Sequence, residues 1–340
     1  MANYSDIKGT TVLTVTSDPT DAINGQIWYN STDLKLKAQG ATYGTYAFSE
    51  ISALPNWKST SQGGGSTTAA WITGGSTSQP LAPETYLYNG ASWTTSGNLT
   101  KTSQTGGSGS AGLSTAGLIW GGGNPYTNVC EKFDGSSWST TTNFPSVASY
   151  SNGCGILQAA LSISRDDGSP FGQCFEFNGT SWATGGTLPA GSAAQGGAGI
   201  QTAGVSAGTA ATPTNQQHNH YDGTSWTAKT SMTIGRAFYG NGVAGQQGDT
   251  LVMGGQSGPP AAPTATEYWN GTAWATQGTL PLAKYGTSTG NNNPSINSAI
   301  LMGGGDSTPV DQRAKVLLGY PTADTPAART VNTPDLDTIG

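Results

Sequence analysis

Charge is what this chain most lacks. Only 9% of its 340 residues are Asp, Glu, Lys or Arg, where about a quarter is usual for a soluble domain. The formal net charge is -6 and no basic run occurs, so nothing in the sequence draws the chain to nucleic acid. Histidine is nearly missing: His218 and His220 are the only two, a small supply for acid–base catalysis or a His-rich metal centre. Three cysteines are too odd a count for an oxidised disulfide framework and point to synthesis in a reducing cytoplasm. No apolar run reaches the roughly 18 residues of a membrane span. The start, "MANYSDIKGTTVLTV", has no charged residue followed by an apolar stretch, so neither a secretory signal nor membrane insertion is expected.

So little charge would suit a disordered linker, but ten Trp and thirteen Tyr would not. Glycine numbers 51, about twice its usual share. Gly-, Ser- and Thr-rich sequence with regularly placed aromatics predicts short strands joined by tight turns.

One phrase recurs: "YNGASWTTSGNL", "FDGSSWSTTTNFP", "FNGTSWATGGTLP", "YDGTSWTAKTSM" and "YWNGTAWATQGTLP". With Trp93, Trp138, Trp182, Trp226 and Trp274 as the ruler, the steps are 45, 44, 44 and 48 residues. Five positions before each Trp stands Tyr88, Phe133, Phe177, Tyr221 or Trp269, and three before it a glycine preceded by Asn or Asp. Asn-Gly and Asp-Gly accept positive φ at both turn positions, so each phrase predicts a two-residue β-hairpin. Six positions after the Trp comes Leu99, Phe144, Leu188, Met232 or Leu280. Between the hairpins lie apolar runs ending in paired glycines, "AAWITGG", "AGLIWGG", "TLVMGG" and "AILMGGG", with "AALSISR" and "TAGVSAG" in the equivalent places of the third and fourth units. Runs of this kind suit strands buried on both faces, and the glycines a bend where backbones crowd. Each unit then supplies four strands, one propeller blade.

The spacing of Gly74-Gly75, Tyr86 and Trp93 in the first unit is similar to the kelch motif. Later units keep the Trp but move the aromatic, so the resemblance is kelch-like. The acid or amide adjoins the glycine, which differs from the sialidase Asp-box. A degenerate sixth hairpin, "YGTYAFSEISALP", aligns Phe48 with the ruler, Tyr43 with the earlier aromatic and Leu54 with Leu99. "RAKVLLG" (Arg313 to Gly319) gives the last unit a third strand with no Trp strand after it. The expectation is therefore all-β: a six-bladed kelch-like β-propeller over residues 41–319, closed by an N-terminal strand near Tyr43–Glu50 that removes its open edges. A buried Trp offers about 150–250 Å², worth roughly 4–6 kcal/mol, so the repeated Trp residues are read as structural.

Residues 1–40 stand outside the repeat but contain "GQIWYNSTDLKLK", whose alternation at Ile27/Tyr29 and Leu34/Leu36 predicts a hairpin. This phrase resembles the attachment segments near the N-termini of bacteriophage tail-fibre and other virion proteins. Residues 320–340 hold three prolines without apolar periodicity and are expected to form an extended C-terminal arm.

Chemistry is sparse. His218 and His220, two apart on a strand, share a face and a possible metal. No third ligand is suggested, however, and the slot of His218 holds Thr85, Cys130, Cys174 and Thr266 in other units, which marks a packing position. Asp166-Asp167 reads as a solvated turn. No enzyme, metal or cofactor is expected. Ten residues after the ruler stand Lys58, Arg236 and Lys284, in three units consecutive around a closed ring and expected on the innermost strands by the channel. Clustered there, they are the candidate ligand-binding residues, for an anionic group such as an acidic sugar.

The resemblances together imply a phage virion structural protein at the virion surface, synthesised in the host cytoplasm. Its expected work is that of a tail-fibre-like adhesin recognising a host-surface glycan, and its partners are virion proteins bound through residues 1–40. Tail-fibre analogy implies a homo-oligomer, a trimer. The alternative is a capsid or tail decoration protein that binds only virion neighbours.

Overall fold

The computed structural model describes residues 13–19, 27–32, 34–42, 46–75, 83–101, 107–123, 125–163, 172–189, 195–209, 216–238, 241–256, 263–289, 296, 299–305, 316–321 and 325–330. These fall into two units, 46–320 and the two chain ends, 1–45 with 321–340.

The larger unit is a six-bladed β-propeller of four-stranded antiparallel sheets. The short terminal unit holds β1 (Leu13–Val15), β2 (Ile27–Asn30) and β3 (Lys35–Thr42), and β4 (Tyr46–Ile51) opens the propeller. The first blade is β5 (Gln62–Ser66), β6 (Ala69–Thr73), β7 (Thr85–Tyr88) and β8 (Trp93–Thr95). The second runs from β9 (Gly109–Leu113) through β10 (Ala116–Trp120) and β11 (Cys130–Phe133) to β12 (Trp138–Thr140). The third has β13 (Asn152–Ile156), β14 (Ala159–Ile163), β15 (Gln173–Phe177) and β16 (Trp182–Thr187). The fourth has β17 (Gly196–Ile200), β18 (Ala203–Ala207), β19 (His218–Tyr221) and β20 (Trp226–Ala228). The fifth has β21 (Val243–Gln246), β22 (Asp249–Val252), β23 (Ala265–Trp269) and β24 (Trp274–Thr279). The sixth is β25 (Ser288–Thr289), β26 (Ile300–Met302) and β27 (Val316–Pro321), with β4 as its outer strand. The N-terminal strand thus closes the ring. Tyr43 lies outside the described residues, but Phe48 does occupy the ruler position. The backbone oxygen of Tyr46, two before it, crowds Gly278 as those of Ser136 and Thr224 crowd Gly97 and Gly186.

The second strands are apolar because both their faces are covered: Trp71, Ile72, Leu118, Ile119, Leu161, Val252 and Leu301 are all fully buried. Each repeated Trp faces the earlier aromatic of its own hairpin, with ring centroids 5.0 Å apart for Tyr88–Trp93 and 4.9 Å for Phe177–Trp182. Its other side meets the preceding blade. The Trp138 indole N–H donates to Thr85 Oγ1 (2.7 Å), that of Trp274 to the Thr230 carbonyl (3.0 Å), and that of Trp93 to the Ser52 carbonyl (3.0 Å).

The hairpin turn differs from expectation. Tyr88 pairs with Trp93 and Phe133 with Trp138, so four residues, not two, form the loop. Only the glycine takes positive φ, while the Asn or Asp acts through its side chain. Asp134 Oδ1 accepts from the amides of Ser136 (2.9 Å) and Ser137 (2.8 Å), and Asn89 and Asn270 do the same in their blades. An Asx turn, rather than mirror-image turn geometry, selects Asn and Asp here. The reading also missed a glycine near the end of five innermost strands. Gly112 is one, with φ of +101°, where a Cβ would stand 2.2 Å from the Ala116 carbonyl oxygen.

In the terminal unit β2 and β3 form the expected hairpin, with Tyr29 opposite Leu36. Leu34, expected in the strand, sits instead in the turn at φ +54° and 73% exposed. β1 joins β2 in parallel, and the Asp18 carboxylate accepts from the buried Trp28 indole (3.0 Å) and from Asn30 (2.8 Å). Within the expected C-terminal arm the described residues include a paired strand: β28 (Thr325–Thr330) runs antiparallel to β3, Thr325 opposite Thr42 and Thr330 opposite Lys37. Such pairing uses the backbone alone, so apolar periodicity does not announce it. The boundaries shift accordingly, β3 reaching past residue 40 and the propeller spanning 46–320. Residues 331–340 lie outside the description.

Gly254, first of its doublet, has φ of +62°, and a Cβ on it would lie 2.5 Å from the Lys284 carbonyl oxygen. Gly254→Ala should cost roughly 2–3 kcal/mol in urea denaturation, whereas Gly248→Ala, with nothing within 4 Å, should stay within about 0.5 kcal/mol of the parent. Equal midpoints for the two variants would contradict the crowding described.

Candidate functional site

The three cations of the expected site are not on the innermost strands. Each lies a few residues before one and is fully buried: Lys58 and Lys284 at 1% and Arg236 at 0% exposure. Each reaches to the glycine doublet of the blade that the chain is about to enter. Lys58 Nζ donates to the Gly74 carbonyl (3.0 Å), Arg236 Nη1 to that of Gly254 (2.7 Å) and Lys284 Nζ to that of Gly303 (2.8 Å). Their own backbones meet the end of the second strand of the blade just left: the Gly255 amide donates to the Lys284 carbonyl (2.9 Å), the Gly304 amide to that of Lys58 (2.7 Å) and the Thr209 amide to that of Arg236 (2.8 Å). A cation at this position therefore ties two blades together, across the joints between blades four and five, five and six, and six and one. The last of these is the closure of the ring.

Burial sets the electrostatics. Arg236 faces the fully buried Glu267 (3.4 Å), and its own proton affinity is lowered by burial and restored in part by that carboxylate. Glu267 also accepts from the Thr233 and Ile234 amides (2.7 and 3.2 Å). Lys58 stands 3.6 Å from Glu84 and 5.1 Å from the centre of the Tyr86 ring. Burial pulls its pKa down to about 8 against the opposing pull of Glu84. Sequence reasoning missed these acids. The available signal was positional: Glu131 and Glu267 both stand seven before the ruler Trp, and each binds a threonine seven after the ruler of the preceding blade, Thr100 or Thr233.

Neighbouring innermost strands are joined by polar contacts. Ser110 Oγ donates to the Gly63 carbonyl (3.0 Å), Thr289 Oγ1 to that of Val243 (2.9 Å) and Ser288 Oγ to that of Ser61 (2.7 Å). Asn241 bonds both backbone groups of Gly197, accepting from its amide at 3.2 Å and donating to its carbonyl at 2.7 Å. These hydroxyls and amides are buried and satisfy strand edges that would otherwise stay bare. The open channel rim on which the cation reading relied is not what surrounds Lys58, Arg236 and Lys284.

The histidines occupy the joint between blades four and five. His218 is buried in the slot facing the next blade's tryptophans, with ring centroids 4.7 Å from Trp269 and 4.9 Å from Trp274. Thr85 fills the same slot against Trp138, Cys130 against Trp182 and Cys174 against Trp226. His220 is half-buried, its Nε2 3.0 Å from that of His218. Burial, and then its partner, push His218 down to about 3; burial, and then Lys229, push His220 down to about 4. Both rings are neutral near pH 7. Among the described residues no group of three or more His, Cys, Asp and Glu stands together for a metal. Asp166 and Asp167 lie outside the described residues.

The strand order gives the disc two unlike faces. Connections within each hairpin emerge on one face, and those from second to third strand and from blade to blade on the other. On the first face the Asx turn recurs in five blades. Beyond the glycine doublet that four of them share, the second-to-third connections have no common text: "GGSTSQPLAPE", "GGGNPYTNV", "SRDDGSPFG", "GTAATPTNQQ", "MGGQSGPPAAPT" and "GGGDSTPVDQRAK". Tyr126 and Val147, 45% and 44% exposed, flank the Thr127–Ala148 bridge on this second face.

No family model matches the chain, and no curated protein does. Among solved structures it is similar to that of YjhT, with a TM-score of 0.64 and 13% identity over 82% of this chain and 99% of that one. At that identity the likeness is one of fold.

Two outcomes test the cations as ties between blades. Arg236→Met strands Glu267 without its counter-charge and should lower stability by about 3 kcal/mol. Lys58 binds its proton up to about pH 10.5 when unfolded but releases it near pH 8 when folded. The unfolded chain thus holds more protons between these values, and stability should rise with pH across that window by an amount on the order of 2 kcal/mol relative to Lys58→Met. Parallel stability–pH curves for the two proteins would show that Lys58 is solvated instead.

Proposed function

We propose that this chain is a non-enzymatic adhesin of a bacteriophage particle: a kelch-like propeller whose connection-rich face recognises the host surface, held to the virion through its terminal unit. The observation that carries this reading is the contrast between the two faces. Five of the six blades keep the same Asx turn on one side, where the backbone sets the residues, and beyond the glycine doublets the second-to-third connections differ from blade to blade on the other. A rigid disc with one diversified face is how scaffolds present recognition loops. Half-exposed Tyr126 on that face is the kind of amphipathic ring that stacks on a sugar. The low charge supports the same reading, since affinity that does not rest on exposed ions survives changing salt. The resemblance of Gly25–Lys37 to virion attachment segments supplies the particle. In that phrase Trp28 and Asn30 are buried, and both are hydrogen-bonded to Asp18.

Immunogold electron microscopy of purified phage with antibody against this chain tests the proposal. Label at the tail tip or on fibres is the expected result. Label spread over the head would favour decoration of the capsid, and bare particles would end the virion reading.

A further inference from the structure

We propose that His218 and His220 form a two-imidazole chelate for a borderline divalent cation, Cu(II) before Ni(II), in the joint between the fourth and fifth blades. The inference does not depend on the adhesin reading. Residues two apart on β19 project to one face, and here their Nε2 atoms come within 3.0 Å of each other. Two nitrogens each about 2.0–2.1 Å from one ion and at right angles around it lie about 2.9 Å apart, whereas tetrahedral ligands lie about 3.3 Å apart. The observed spacing is that of the hydrogen bond between the rings and matches the tetragonal arrangement with little movement, which favours Cu(II) and Ni(II) over Zn(II).

Three further features fit. His218 Nδ1 stands 3.2 Å from the Thr230 carbonyl, which only accepts, so the ring proton sits on Nδ1 and the Nε2 lone pair faces His220. A backbone carbonyl on the far nitrogen is the usual orienting partner of a metal-bound imidazole. The ring planes lie at 82° with centroids 4.7 Å apart, closer than two rings aimed head-on across a 3.0 Å gap, so the two imidazoles do not point straight at each other and room is left beside the line joining the nitrogens. His218 is held against Trp269 and Trp274, and His220, edge-on to Trp269, is half-buried and so keeps part of its surface in water, from which the remaining ligands would come. Both rings stay neutral, as ligands must be, well below pH 7. The charge acting on both is Lys229, which weakens the site without occupying it. Without metal, one nitrogen carries the proton between the pair. On binding, the His220 proton moves to its Nδ1 through water, so no net proton is released.

The test is titration of the full chain with CuCl2, read by tryptophan fluorescence and by electron paramagnetic resonance. The expected result is one Cu(II) per chain, quenching of the adjacent indoles and a tetragonal spectrum split by imidazole nitrogens. His220→Asn, at a half-exposed position, should weaken binding by about tenfold or more. A spectrum without imidazole coupling would overturn the proposal whatever the variant does. Equal affinity in a folded His220→Asn would also overturn it, as would Zn(II) binding more tightly than Cu(II).

Discussion

Every blade is finished by the blade beside it. The tryptophan that begins an outer strand covers its own hairpin with one face of the indole and turns the other toward the third strand of the preceding blade. The indole N–H finds an acceptor across that joint in the first, second and fifth blades. The second strands add ties of the same sort, Trp71 donating to the Gly112 carbonyl (3.2 Å) and Trp120 to Ser151 Oγ (3.1 Å). A four-stranded sheet alone would leave both faces wet. Only the closed ring buries all of them, which is why the unit is repeated.

The polar groups of the interior serve the same joints. Near the axis, Ser, Thr and Asn side chains of one innermost strand bond to the backbone of the next. Further out, buried cations at three consecutive joints hold the carbonyls of glycine doublets, and Arg236 has a buried carboxylate beside it. A long side chain removed from water is costly unless its charge is met. Here the meeting groups are carbonyls turned outward by glycines at positive φ. Each cation meets a doublet, at Gly74, Gly254 or Gly303, while the fourth doublet, Gly121-Gly122, has Ser103 at the corresponding position.

Such joints leave the faces of the disc free to differ. On the hairpin face the turns repeat because the backbone demands it: an Asn or Asp caps two amides, and a glycine follows at positive φ. On the opposite face no such demand acts on the connections, and their sequences have diverged. The histidine pair falls between these cases, His218 filling a packing slot while the half-buried His220 meets solvent.

The architecture was legible in the sequence because a repeat reports the same constraint many times. The ruler tryptophans, the apolar second strands and the degenerate outer strand around Phe48 led to six blades and their closure. The turn type was misjudged, because Asn-Gly signals a hairpin through either of two geometries and only the backbone tells which one. Leu34 fell outside its strand, and β28 was unforeseen, because strand pairing through main-chain groups leaves little periodic trace. Lys58, Arg236 and Lys284 show the limit most clearly. Their common spacing could be read from the chain, and even their adjacency around the ring. Whether such cations face water or carbonyls depends on what the neighbouring blade places against them, and that is set by packing. Periodicity by itself determined the blades and their number. The tertiary structure decided the environment of each charge, since burial and partners exist only once the blades meet.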